Sequence, residues 1–265
     1  MKNKINSVFI VIIAMITIAK GQTNHVYFIS GGLTFQKSKE TRFTSNFRSG
    51  IGYNVSMGYE RQTEKSINRV SLLFIQASQG KSNISFSRNL RPEIRYEYLK
   101  KNKSIDVGGF IDIGSLISFR NGTWANENSI SYCMWSSLGI STQFKKSINV
   151  FDKKAEWKTC FSSPLLSYLV RPSYSFPYTD NFLTQEKFNL NRTNLRKAIV
   201  TSGKFKSIGS FTNIRVQTGV DFVTENKKWS WGINYALGYL QTKEAKPLFQ
   251  FNHQINFVAQ KLNVK

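Results

Sequence analysis

Only two histidines occur in the 265 residues, His25 and His253. Acid–base or nucleophilic chemistry of the Ser–His type would have to be built around one of them. His253 stands between Asn252 and Gln254 with no serine close behind it, and no Asp-Asp or Asp-His pair occurs in the chain. A lone histidine in apolar company is expected to be structural. No catalytic, cofactor-binding or metal-binding residue is therefore assigned, and the chain is expected not to be an enzyme.

The carboxylates and guanidiniums are more informative. Arg91, Glu93, Arg95 and Glu97 alternate in sign at every second position, and Asp106, Asp112, Arg215 and Asp221 recur in segments of the same period. Residues two apart in a strand share a face. Unpaired charges are costly to bury, so these eight are expected to neutralise one another as an ion-pair network on an inward face. A water-filled, charge-selective pore is the alternative arrangement. Cys133 and Cys160 fall on the same inward face of consecutive strands. Opposed residues of a hairpin have a constant sum, which centres their turn at Lys146–Ser147. A cross-strand disulfide fits that geometry, and so do two buried thiols.

The elements that must hold these residues are strands. From Phe47 to Tyr59 the odd positions are Phe, Ser, Ile, Tyr, Val, Met and Tyr, whereas the even ones are polar or glycine. The same alternation runs over 105–119, 229–239 and 249–257, and Ile84, Phe86, Leu90, Ile94, Tyr96 and Tyr98 oppose the charged row of strand four. Stripes this long exceed the roughly 5–6 residues of a soluble strand and suit tilted strands crossing a bilayer, apolar side out. The turn signals place ten strands, at 25–36, 47–61, 67–78, 84–99, 105–119, 129–144, 155–169, 209–224, 228–241 and 247–260. The expected fold is all-β, a single antiparallel up-and-down transmembrane barrel. Strands three and seven are weakly patterned and Pro164 interrupts the latter, so counts of eight and twelve stay open. The connections at 62–66, 100–104, 145–154 and 225–228 are short and basic. Those at 37–46, 79–83, 120–128, 170–208 and 242–246 form the other set. Short turns face the periplasm and long loops face outward, which places both termini on the periplasmic side.

Ahead of the barrel, Lys2 and Lys4 precede the apolar run Val8–Ile18, and Ala19-Lys20-Gly21 offers a cleavage site before Gln22. Residues 1–21 are expected to be a cleaved signal peptide, too short to span a bilayer, and 22–265 the barrel domain. A formal charge of +22 with 37 basic and 15 acidic residues raises nucleic acid as a partner. Export removes it, and no basic helix or stacking platform is present. Within the long loop, Asn194 followed by 195–200 and then Gly203 reads as a short capped helix. That loop holds seven basic residues, Arg171, Lys187, Arg192, Arg196, Lys197, Lys204 and Lys206, against two acidic ones. Facing outward, it would meet the phosphates of lipopolysaccharide. Expected partners are thus outer-membrane lipid, lipopolysaccharide and the machinery that inserts barrels.

The segment Ala19-Lys20-Gly21-Gln22 resembles the processing site of exported proteins of Bacteroidota. Pro164-Leu165-Leu166-Ser167-Tyr168-Leu169-Val170-Arg171-Pro172 resembles a strand-to-loop segment of outer-membrane barrels of that phylum, within the porin-like superfamily. The resemblance implies a barrel in the outer membrane and transfers no catalytic residue. Three roles remain: a structural or docking component or narrow channel of the envelope, an outer-leaflet lipid-modifying enzyme, and a soluble secreted sandwich.

Overall fold

The computed structural model of the chain describes residues 23–40, 46–81, 85–122, 129–171, 176–177, 203–224, 228–244 and 246–264. The expected signal peptide and the expected helix over 194–200 lie outside those residues. The described chain is all strand: β1 Asn24–Glu40, β2 Arg48–Gln62, β3 Ser66–Lys81, β4 Ser85–Lys100, β5 Ile105–Gly122, β6 Ser129–Val150, β7 Lys153–Val170, β8 Phe176–Pro177, β9 Gly203–Ser207, β10 Phe211–Val223, β11 Trp229–Thr242 and β12 Leu248–Val264. All pairings are antiparallel, and β1 pairs with both β2 and β12. Ten strands, β1–β7 and β10–β12, follow one another round a closed ring. This is one closed sheet and not a two-sheet sandwich. Each of these ten strands has a hydrogen-bonded neighbour on both sides, which is the condition for strands to cross a lipid phase.

The two short strands explain the weak patterning of strand seven. β9 pairs with Leu166–Val170 of β7, and β10 pairs with Ala155–Ser162 of the same strand. The two make a single stave broken at a turn where Gly209 takes a φ of 94°. Pro164 and Leu165 of β7 fall in the gap between them. On the other side, Leu138 pairs with Leu166 while Gly139 pairs with Pro164, which leaves Leu165 without a partner residue. Proline has no N–H to offer a ladder and is at home beside a bulge. The extra residue reverses the phase of the strand. Even positions point inward below it, odd positions point inward above it, and Leu165 and Leu166 both face out. β8 pairs with Ser129–Ile130 of β6, so the connection leaving β7 is fastened at both ends to the barrel wall.

One expected turn moves. The basic stretch 145–154 is not a loop: β6 runs on to Val150, and the hairpin turns at Phe151–Asp152, both with positive φ (50° and 61°). That pair matches the twist of a two-residue hairpin, where Asn-Gly is the favoured sequence. Phe151→Asn combined with Asp152→Gly should relieve left-handed strain and stabilise the barrel by about 1 kcal/mol. An unchanged urea midpoint for unfolding from lipid vesicles would show that the turn carries no such strain.

The outward face decides the solvent. Ile29, Leu33, Ile51, Ile94, Ile111, Ile113, Leu138, Ile233, Ile255 and Phe257 point away from the lumen and are exposed. An apolar belt that circles the molecule far exceeds the patches a water-solvated monomer carries. Aromatic rings border it. Near the short-turn rim Tyr27 packs on Tyr59, Phe144 on Trp157 and Phe222 on Trp231. Near the other rim Phe47 packs on Phe249 and Phe251, and Tyr239 on Phe251. Aliphatic belts between aromatic girdles match the polarity profile of a bilayer.

Candidate functional site

The functional question for a barrel is what fills its lumen, and here the filling is layered. In the half towards the long connections, Leu116, Cys133, Trp135, Leu169, Phe211, Leu240 and Leu248 project inward as one buried apolar cluster. Its centre is the pair Trp135–Phe211, with ring centroids 5.9 Å apart. Gly114 sits opposite Trp135 in the ladder, and a Cβ there would meet the indole at 2.4 Å. The glycine is the hollow into which the large ring fits. The remaining wall of this half carries amides and hydroxyls. Gln36 accepts from Asn89 (2.8 Å) and Gln79 (3.3 Å), and Ser38 donates to Gln79 (2.8 Å). Thr34, Gln79, Gln250 and Asn252 are at most 2% exposed. Water does not reach these inward side chains.

Beneath this layer lies a charged one. Glu93 takes contacts from three guanidiniums: Arg215 at 3.0 Å, Arg91 at 3.1 Å and Arg95 at 3.4 Å. Arg95 also donates to Asp112 (2.9 Å) and Ser162 (2.8 Å), and Arg91 donates to Asn213 (2.8 Å). Arg95 stacks on Phe110, with its guanidinium carbon 4.1 Å from the ring centroid, and Arg91 lies 5.4 Å from the centroid of Trp135. The charged layer is thus joined to the apolar one through Arg91.

Towards the short turns the charges spread along the wall. Arg69 donates to Glu60 (2.7 Å), Glu97 (2.7 Å) and Gln143 (2.8 Å), tying together β2, β3, β4 and β6. Lys158 lies 2.8 Å from Asp221 and 3.1 Å from Glu156, and Lys145 lies 3.5 Å from Asp106. Of the eight inward charges singled out in the sequence, Arg91, Glu93, Arg95, Asp112 and Arg215 form one contiguous group. Glu97, Asp106 and Asp221 belong to this separate, lower set. Its organising residue, Arg69, was not among the eight. Strand three hides it, because Ile67, Leu73, Ile75 and Ala77 share its inward face while Leu72 and Phe74 point out. The signal that could have found it is register: Arg69 is directly opposite Glu60 across one hairpin and Glu97 across the next.

Between the charged layers is a cavity of about 190 Å³, lined on one side by Arg69, Arg95 and Arg215 and on the other by Asn54, Asn234 and Asn256. A second cavity of about 200 Å³ at the short-turn rim shares Val26, Lys158, Asp221 and Gln260 with it. Together they form a polar vestibule leading in from the short-turn end and meeting Arg95 and Arg215 as its floor.

One open alternative closes and one expectation is corrected. No disulfide joins Cys133 to Cys160. With the turn at Phe151–Asp152, Cys160 faces Gln143, and Cys133 faces Leu116 near the other end of the barrel. Cys160 lines the vestibule, whereas Cys133 is in the apolar layer. Nor is Arg171 a surface cation. It is 4% exposed, pairs with Glu40 at 2.9 Å and donates to the Glu244 carbonyl at 3.1 Å. Lys204 and Lys206 both pair with Glu244. Hydrogen bonds from Lys206 and then Lys204 hold its carboxyl below the usual range. Lys187, Arg192, Arg196 and Lys197 lie outside the described residues. The histidines are on the outer wall and far apart, His25 near the short-turn rim and His253 level with Phe35 within the apolar belt; His25 is bonded to Tyr59 and His253 to Tyr235, each at 2.6 Å.

No protein-family model matches the chain, and no curated protein matches it. Among solved structures it is similar to the translocator domain of autotransporter NalP from Neisseria meningitidis, at 6% identity and a TM-score of 0.46, over 97% of this chain and 94% of that one. It is also similar to the beta domain of the Bordetella autotransporter Brka (7%, TM-score 0.40, 92% and 100%) and to Neisserial surface protein A (9%, TM-score 0.37, 89% and 96%). None of these likenesses bears on what the chain does.

Proposed function

We propose that the chain is an integral outer-membrane barrel, sealed against through-flow in its outer half, whose role in the envelope is structural or docking. Both termini and the short turns lie on the periplasmic side in this reading, and the long connections face outward towards lipopolysaccharide. The carrying observation is the burial of every named inward side chain of the outer half, from Thr34 and Gln36 to Trp135, Phe211 and Gln250. A ten-stranded ring is narrow enough for side chains to fill. The vestibule is then a blind recess on the periplasmic side, and the barrel wall and outer surface are what the chain offers to partners.

The test is conductance. The full chain reconstituted in planar bilayers should give no current steps above the lipid baseline at any salt or voltage the membrane survives. Reproducible steps would replace this reading with that of a narrow channel.

A further inference from the structure

We infer that the outward face of β12, β1 and β2 at the outer rim is a binding site for the phosphorylated headgroup of an outer-leaflet glycolipid. The inference rests on the membrane orientation proposed above. Lys37 and Lys39 point outward from β1, and both ammoniums lie over one ring, that of Phe47, at 5.3 and 5.8 Å from its centroid. Phe47 is held by Phe249 and Phe251 of β12, the residues whose backbones pair with Lys39 and Lys37. Among the described residues no carboxylate lies within salt-bridge range of either ammonium. Three basic residues of the long connection at this end differ: Arg171 is paired with Glu40, and Lys204 and Lys206 with Glu244.

Two like charges gathered on an aromatic platform repel each other, and the ring faces compensate only part of that cost. An anion with two charges would compensate the rest. Directly below the pair, on the same outward face, Phe35, Leu33 and Ile51 belong to the lipid-facing belt and are 41%, 56% and 61% exposed. The ammoniums therefore stand where the apolar belt ends, at the depth of lipid headgroups. Acyl chains below and a phosphate monoester above match the belt and the cation pair in one molecule. Long basic side chains reach such an interface with their stems in apolar surroundings and their heads in the polar layer.

The experiment titrates the refolded full chain in detergent with fluorescent bis-phosphorylated lipid A, and in parallel with its dephosphorylated form. Near an anionic lipid surface each lysine contributes about 1 kcal/mol, so Lys37→Gln with Lys39→Gln should weaken binding by roughly ten- to thirty-fold. The pair Lys204→Gln with Lys206→Gln, already neutralised by Glu244, should change it by less than about twofold. Wild type should bind the dephosphorylated lipid as weakly as the K37Q/K39Q variant binds the phosphorylated one. Heat-modifiable migration on a gel checks that each variant is folded. Equal affinity of wild type and K37Q/K39Q would overturn the site, as would equal losses in the two double variants. If the wild-type chain never becomes heat-modifiable or vesicle-inserted, the membrane reading fails and this inference with it. Insertion with phosphate-independent binding removes only the inference.

Discussion

Replacing both Trp135 and Phe211 by alanine is expected to turn a silent barrel into a conducting one. These rings are the bulk of the apolar layer, packed 5.9 Å apart and at most 2% exposed. Their loss opens the lumen directly above the Arg91–Glu93–Arg95 group, whose charges would hold water in the space created. Arg91 also loses the indole on which it rests. In a soluble core each truncation costs about 3–5 kcal/mol, so the variant should unfold at lower urea while remaining heat-modifiable. Current steps in planar bilayers are the readout, with Phe74→Ala on the lipid-facing wall as a silent control. A double variant that stays folded and gives no current would show that the seal lies elsewhere.

Glu93→Ala should be the most destabilising single substitution inside the barrel. The carboxylate is 1% exposed and faces Arg91, Arg95 and Arg215 within 3.4 Å. Without it, Arg91 and Arg215 lose the carboxylate they contact, and Asp112 remains paired with Arg95 alone. Removing one partner from a buried ionic cluster costs about 3–5 kcal/mol, because the remaining charge is neither solvated nor paired. Combining Glu93→Leu with Arg215→Leu restores the local balance and should recover most of the loss. Tryptophan fluorescence during urea unfolding from vesicles measures both. A cost under about 1 kcal/mol for E93A would mean that water enters this layer and screens it.

The ring itself was legible because alternation is strong wherever one face meets lipid and the other a polar lumen. β2, β4, β5, β11 and β12 carry that contrast in nearly every residue pair. It fails where both faces are apolar. Trp135, Phe211, Leu116 and Leu240 look like lapses in the pattern, yet they are the seal. The same mixing on β3 concealed Arg69. The cross-strand disulfide, one of two arrangements open for the cysteines, rested on one misplaced turn. Lys145 and Lys146 read as a loop, whereas the true turn, Phe151–Asp152, has no glycine to mark it. Arg171 looked like a loop cation because nothing local indicates that Glu40, 131 residues away, closes over it.

The sealed outer half and open vestibule can be probed with the chain's own thiols. Cys160 lines the vestibule and Cys133 lies in the apolar layer. Cys133→Ser and Cys160→Ser each leave one of them, and a small charged methanethiosulfonate reagent tests its access in folded, vesicle-embedded protein. Modification of Cys160, with Cys133 reacting only after unfolding in urea, is the predicted result. Modification of Cys133 in the folded barrel as fast as Cys160 would contradict a sealed lumen.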